Sequence, residues 1–433
     1  MGEADAPTAH RTDEESARRA VGAVWRIESA RIVATLTRTV GDFGLAEDLA
    51  QEALAEALEQ WPASGVPRNP GAWLTTVAKR RAIDGWRRRE RYDDRLAAIA
   101  HDLEAEQRAG ADATPWDPDL IDDDVLRLVF TACHPVLSRE AQVALTLRVV
   151  GGLGSEEIAS AFLVPTSTVQ QRIVRAKQAL AAADVPFEVP PRDEFAARLA
   201  GVLAVIYLVF TEGHSASTGD RVLRADLAQE AMRLGRVLAA LVPDEPESLG
   251  LVALMELTAA RFPARVDGSG APVPLDRQDR SRWDRTLIAH GRGALERAER
   301  VADRQDRGLG PYALQAVIAE AHAVAPSVPA TDWARIVRAY DALAEVAPSP
   351  VVALNRAVAV SMVDGPEAGL AAVDALAGDR RLRMSHLLPS VRGELLARLG
   401  RDAEARAQFE EAARLAGNDR ERAHLLAKAA ARR

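Results

Sequence analysis

The sequence predicts an all-α protein of several domains, and three observations carry that prediction. Aromatic residues make up only 4% of the chain, while alanine, leucine and arginine, which lose little entropy in a helix, are plentiful. Apolar residues recur at helical spacing, as in Leu74, Ala78, Ala82 and Trp86 at steps of four. Runs rich in glycine or proline at 41–44, 61–67, 151–154, 185–191 and 263–274 separate these segments. A chain of 433 residues exceeds one ordinary core, so two to about four domains are expected.

Bulk properties narrow the function classes. With 48% hydrophobic and 27% charged residues the chain has the composition of a soluble globular protein. Cys133 is the single cysteine, which excludes an internal disulfide and a multi-thiolate zinc site and fits a reducing cytoplasm. The first twenty residues are polar, without the apolar core of a secretory signal. The most apolar run, Leu199 to Phe210, is too short to span a bilayer and reads as a buried helix, so no membrane association is expected. A net charge of −8 argues against general coating of DNA. The local pattern differs, because 79–91 holds Lys79, Arg80, Arg81, Arg87, Arg88, Arg89 and Arg91 against Asp84 and Glu90. The following stretch, 93–124, is strongly acidic. A basic helix followed by an acidic tether suits a protein that meets nucleic acid at defined places.

Taken in order, a first helix is expected over 20–40, from Trp25, Ile32, Val33 and Leu36, and is broken at Gly41-Asp42-Phe43-Gly44. A second spans about 45–60 on the ladder Leu49, Ala53/Leu54 and Ala57/Leu58, followed by a loop from Trp61 to Pro67. Asn69-Pro70 reads as an N-cap with proline at the first helical position of a third helix, 70–91. Weak periodicity with Gly110, Pro115 and Pro118 makes 93–122 an extended acidic linker. Three helices are expected over 123–184, then a proline-marked boundary, then a helical region over 192–433. From about 330 that region repeats: Gly393, Leu399-Gly400, Ala405, Phe409 and Ala412 fit a tetratricopeptide helix pair, and Gly365 lies 35 residues before Gly400.

Residues 154–180 have helix-turn-helix grammar. Ser155 is the expected N-cap, with Glu156 and Glu157 in the first turn, and Ile158, Ala159 and Phe162 form the apolar side. Leu163-Val164-Pro165 is the turn and Thr166-Ser167-Thr168 opens the second helix. Val169, Ile173 and Ala176 face back, leaving Ser167, Gln170, Gln171, Arg172 and Arg175 outward. Gln pairs with adenine and Arg with guanine in the major groove, and Ser and Thr suit phosphate.

The segment from Leu137-Ser138-Arg139-Glu140 through Leu145-Thr146-Leu147-Arg148 to Ala176-Lys177 resembles region 4 of extracytoplasmic-function sigma factors, the part that reads the −35 promoter element. The resemblance implies DNA contacts from Thr166, Ser167, Thr168, Gln170, Gln171, Arg172 and Arg175. Gln170 and Gln171 stand where the family often has a basic and a small polar residue. Ala46-Glu47-Asp48-Leu49-Ala50-Gln51-Glu52 resembles the polymerase-binding helix of region 2, which implies that Asp48, Gln51 and Glu52 dock on the clamp of core RNA polymerase. Trp73 through Arg89 resembles the helix that engages the −10 element and the melting strands. That implies contacts from Asn69, Trp73, Lys79, Arg80, Asp84, Arg87 and Arg88, with a pocket for a flipped base in the preceding loop, about 61–70. Asp84 is also placed to orient Arg80, Arg87 or Arg88 by a salt bridge.

Segments 203–215 and 279–284 resemble the subgroup of these factors with a C-terminal extension. The expected protein is therefore a cytoplasmic bacterial transcription initiation factor and not an enzyme. Its expected parts are a region 2 helical bundle (20–92), a linker (93–122), a region 4 helix-turn-helix domain (123–184) and a tetratricopeptide-like extension (192–433). Its partners would be the clamp and flap of core RNA polymerase, promoter DNA, and a protein or peptide at the extension. A helix-turn-helix regulator with a tetratricopeptide-like sensor is the alternative, although it leaves the 45–91 pattern without a purpose. No metal or cofactor is expected: Glu212 with His214, and Cys133-His134-Pro135, read as structural.

Overall fold

The computed structural model describes residues 6–89, 118–162, 164–214, 225–265, 267, 273–383, 385–416 and 419–432, and among these no strand occurs. The chain divides into two compact units, the first ending at Leu241 and the second running from Val242 to Arg433.

The first unit starts with α1 (Ala6–Val40), longer than the 20–40 segment expected. Trp25, Ile32, Val33 and Leu36 are each at most 4% exposed, which bears out the ladder. Gly41 takes φ +73°, and Asp42 caps α2 (Phe43–Ser64) by accepting the Leu45 N–H at 2.9 Å. The core side of α2 is Ala46, Leu49, Ala50, Ala53, Ala57 and Trp61, whereas Leu58 of the expected ladder is exposed. Alanine here lets α1 and α2 approach closely. The loop expected from Trp61 begins later, at Gly65. Buried Trp61 anchors one more turn, and Pro62 is tolerated there at the cost of one backbone bond. In α3 (Pro70–Arg89) Asn69 accepts the Ala72 N–H at 3.1 Å, the expected cap, and Leu74, Ala78 and Ala82 are buried.

Most of the acidic linker lies outside the described residues. Its last part is helical, because α4 (Pro118–Ala132) starts earlier than expected, with Pro118 in the first turn. Ser138 caps α5 (Arg139–Val149). With α6 (Ser155–Phe162) and α7 (Thr166–Ala182) this makes four helices instead of three. The α6 cap is also one residue off: Gly154, not Ser155, holds that position, and its N–H donates to the Glu157 carboxylate at 2.7 Å.

Helices α8 (Arg192–His214) and α9 (Ala225–Leu241) complete the first unit. Arg198 donates to the Phe130 carbonyl at 3.2 Å, and the Phe195 and Phe130 rings lie 5.4 Å apart. Arg233 donates to the Val150 carbonyl at 3.1 Å. The apolar stretch of α8 is longer than the sequence reading allowed: Arg192–Thr211 has the length and composition of a membrane span. In this fold Leu199, Val202, Leu203, Val205, Ile206, Val209 and Phe210 are all buried against protein.

In the second unit, α10 (Pro246–Ala259) is apolar on nearly every side and forms the centre. Around it pack α11 (Arg285–Arg304) and α12 (Pro311–Val324). Gly250 permits this, since a Cβ there would lie 2.6 Å from the Ala313 nitrogen. Helices α13 (Trp333–Val346), α14 (Pro350–Val363), α15 (Pro366–Asp374), α16 (Leu387–Arg398), α17 (Asp402–Leu415) and α18 (Asp419–Ala430) follow. Each packs chiefly on its sequence neighbours, as stacked helical repeats do. Gly365 and Gly400 have φ of +94° and +72° in equivalent turns before α15 and α17, the repeat seen in the sequence. Leu354, Leu370, Val373, Leu396 and Phe409 share one core there.

Candidate nucleic-acid and polymerase interface

Two surfaces of the first unit carry the predicted site residues. On α3, Arg80 is exposed, and its guanidinium donates to Glu56 Oε1 at 2.9 Å. Glu56 of α2 is thus a carboxylate that orients Arg80, while Asp84 is exposed on the same helix as Arg80. Arg81 donates to Glu56 Oε2 at 2.7 Å and to Glu52 Oε2 at 3.2 Å. The Arg81 hydrogen bond holds the Glu56 carboxyl below its ordinary range. Neither Glu56 nor Arg81 was singled out from sequence, although Glu52 and Glu56 at i, i+4 opposite an Arg pair was a usable signal. Lys79 is half-buried, and Trp73 is half-buried with its ring 5.3 Å from Trp61, edge to face. Asn69 uses its side-chain oxygen on the cap. Arg87 and Arg88 lie in the last turns of α3, and their side chains fall outside the described residues, as does Trp86.

On α7, Val169, Ile173 and Ala176 are at most 6% exposed, as expected. Ser167, Gln170, Gln171 and Arg175 are exposed along one strip, joined by Val174 at 52% exposure. Thr166 and Thr168 are half-buried beside it. Arg172 departs from the outward set. It is half-buried and, with Arg139, Val143, Phe162 and Leu208, lines a cavity of about 210 Å³.

The α2 and α7 surfaces meet. Glu47 is 3% exposed, held by Arg148 Nε at 3.0 Å and Lys177 Nζ at 2.5 Å. Lys177 also reaches Asp48 at 2.6 Å. Burial by itself would lower the Lys177 pKa, but the Glu47 and Asp48 carboxylates outweigh it and hold it above the ordinary lysine value. Gly152, with φ +69°, sits against α1, where a Cβ would lie 2.7 Å from Ser29 Oγ. Arg26 and Glu157 pair at 2.5 Å, and Arg38 reaches the fully buried Asp124 at 2.7 Å. A cleft of about 380 Å³ remains between these elements, lined by Trp25, Gln51, Leu54, Leu58, Arg148 and Glu157. The three predicted polymerase contacts therefore have different surroundings: Asp48 meets Lys177, Gln51 lines the cleft and Glu52 meets Arg81.

Among the described residues no cluster of His, Cys, Asp and Glu is arranged to hold a metal. Cys133 is buried 3.3 Å from Thr146 Oγ1, and burial pushes its thiol up to about 11. His134 Nδ1 accepts the Val136 N–H at 3.2 Å in the turn after α4. Glu212 and His214 end α8, with side chains outside the described residues.

Comparison with known families gives this geometry its class. Residues 26–92 match Sigma-70 region 2 and residues 127–180 match Sigma-70 region 4. Residues 198–299 match a family of unknown function, DUF6596. A basic-faced helix in the first of these regions and a helix-turn-helix in the second define a sigma-70-type transcription initiation factor.

The chain belongs to the extracytoplasmic-function sigma factors that carry a C-terminal helical extension. A similar protein, "Uncharacterized protein R00370" of Rhizobium meliloti (strain 1021), is 44% identical over 394 residues, 90% of each chain. "Probable ECF RNA polymerase sigma factor SigI" of Mycobacterium tuberculosis, in strains CDC 1551 / Oshkosh and ATCC 25618 / H37Rv, is 31% identical over 175 residues. That match spans 40% of this chain and 58% of those proteins. Among solved structures, a tetratricopeptide repeat protein from Parabacteroides merdae ATCC 43184 aligns with a TM-score of 0.33 at 13% identity, over 64% of this chain and 98% of that one.

Proposed function

We propose that this sigma factor docks on the core RNA polymerase clamp through Asp48, Gln51 and Glu52 on α2 and captures the −10 element with α3 and the turn before it. Lys79, Arg80, Arg87 and Arg88 neutralise strand phosphates there, while Trp73, Asn69 and Asp84 shape the surface. Ser167, Gln170, Gln171 and Arg175 enter the −35 major groove, with Thr166 and Thr168 at the flanking phosphates. Arg172 serves the α7–α5 packing first and DNA second. The observation that carries this reading is the exposed polar strip on α7 in a chain that also has region 2 in the right order.

The packed arrangement is the unbound form in this reading, because Lys177 pairs with the exposed Asp48 and, with Arg148, engages the buried Glu47. Docking on polymerase exchanges those contacts for contacts with the clamp and flap. The stacked-helix extension controls that exchange by binding a protein or peptide on its concave side.

Adding the purified chain to sigma-free core polymerase tests the function. Promoter opening on a template with matched −10 and −35 elements is the expected result. Binding to duplex DNA without opening would return the chain to the class of helix-turn-helix regulators.

A further inference from the structure

The exposed face of α7 carries one side chain whose chemistry the polar contacts leave unused. Val174 is 52% exposed in the middle of the helix, and among the described residues of α7 it is the one large apolar side chain that stands exposed. The core side of α7 is complete without it, since Val169, Ile173, Ala176 and Leu180 are each at most 6% exposed. At about 100° per residue, Ser167, Gln171, Val174 and Gln178 fall within about 60° of one another, on the side away from that core. Gln170 on one flank and Arg175 on the other are exposed as well. Val174 therefore stands at the centre of a strip of hydrogen-bonding groups, one turn from both Gln170 and Gln171.

Neither helix formation nor packing accounts for a valine there. Branching at Cβ restricts its χ1 in a helix and makes it a poorer helix former than glutamine or alanine. At half exposure it gains little burial to offset that. A lone apolar residue on a solvated surface is ordinary, but one at the centre of a groove-reading face meets base edges in place of water. Those edges are hydrogen-bonding groups with one exception, the C5-methyl of thymine. Valine against that methyl removes two apolar surfaces from water, whereas valine against a base amine or carbonyl strips a polar group of its partner.

We infer that Val174 is a specificity-determining residue, its Cγ methyls packing on the C5-methyl of one thymine in the −35 element. The glutamines a turn away supply paired hydrogen bonds to an adjacent adenine. The inference rests on the proposed −35 reading of α7.

The test uses holoenzyme, the full chain on core polymerase, with promoter duplexes that it selects from a pool randomised across the −35 segment. Each −35 thymine, on either strand, is then replaced in turn by deoxyuridine, which keeps the base pairing and O4 and lacks only the C5-methyl. At one position the wild type should bind the deoxyuridine duplex about fourfold more weakly, the effect of one buried methyl. Val174→Ala should bind the thymine duplex about fourfold more weakly than the wild type does, with no further loss on deoxyuridine at that position. Val174→Ile keeps the branched apolar surface and should keep the wild-type discrimination. Val174→Ala should also melt no lower than the wild type, because alanine is the better helix former, which separates recognition from a structural role. Equal binding of thymine and deoxyuridine duplexes at every position, a selected element without thymine, or the same deoxyuridine loss in Val174→Ala would overturn the inference and leave −35 recognition standing. A holoenzyme that selects no −35 sequence would instead overturn the promoter reading, and this inference with it.

Discussion

Lys177 of α7 places its ammonium 2.5 Å from the Glu47 carboxylate of α2. Side-chain exposures of 16% and 4% make this a sheltered pair, and Arg148 shares the carboxylate from the other side. A pair of this kind is weakly screened by salt, unlike a surface bridge. It ties the segment that matches Sigma-70 region 2 to the one that matches region 4.

Lys177→Glu sets a carboxylate against Glu47 and Asp48 and should separate the two regions. Arg148 still serves Glu47, so the expected loss is about 1–3 kcal/mol, below that of a fully orphaned buried charge. Small-angle scattering should show a larger radius of gyration, and the double reversal with Glu47→Lys should restore the compact value. An unchanged scattering profile would count against the contact.

Gly152→Ala should weaken the same junction by a different route. The residue has φ +69°, and a Cβ there meets Ser29 Oγ at 2.7 Å and the Arg26 Cα at 3.2 Å. The left-handed backbone alone costs about 1–2 kcal/mol for a non-glycine residue, and the clash with α1 backbone adds to it. A lower melting temperature, with far-UV circular dichroism at 25 °C unchanged, is the expected signature.

Glu56 gives region 2 an acid limit. Its pKa is held below the ordinary 4.5, chiefly by the Arg81 hydrogen bond. A carboxyl whose folded pKa is depressed contributes stability above its unfolded pKa and loses it as pH falls through the folded value. The melting temperature of the wild type should therefore exceed that of Glu56→Gln above about pH 4.5, and the gap should close in more acidic solution. Lys177 behaves oppositely, its raised pKa keeping the junction intact through neutral pH and releasing it only in strong alkali.

Truncation should be position-sensitive. A chain ending after residue 185 loses Phe195 from the Phe130 ring and Arg198 from the Phe130 carbonyl, and uncovers the α4–α5 surface. A chain ending at Leu241 keeps the whole first unit. The longer form should stay soluble and bind promoter DNA, while the shorter one should aggregate or melt at a markedly lower temperature.

On α7, Gln171→Ala and Arg175→Ala should each reduce −35 discrimination by about 1–3 kcal/mol if they touch base edges. Arg172→Ala should lower thermal stability more than promoter preference. Competition binding with single-base −35 variants separates the two effects.

Much of this was legible in the sequence because it depends on local rules. The Asn69-Pro70 helix start, the Val169/Ile173/Ala176 inner face and the Gly365/Gly400 period follow from capping, helical spacing and repeat length, all set within a few turns of chain. The same rules misjudged places where distant packing decides. Trp61 extends α2 through Pro62 because its ring is buried. Leu58 faces solvent because alanines fill the α1–α2 contact, and Arg172 turns inward because a cavity beside α5 and α8 receives it.

What the sequence determined by itself is the helical class, the order of two promoter-reading regions and the polar strip that one of them presents. Only the tertiary structure decided that Glu47 is buried under Lys177 and Arg148 and that Arg80 and Arg81 share Glu56. Periodicity specifies which face of a helix is apolar. It carries no information about which charged group of a distant element lies opposite, since ion pairs need no spacing rule along the chain.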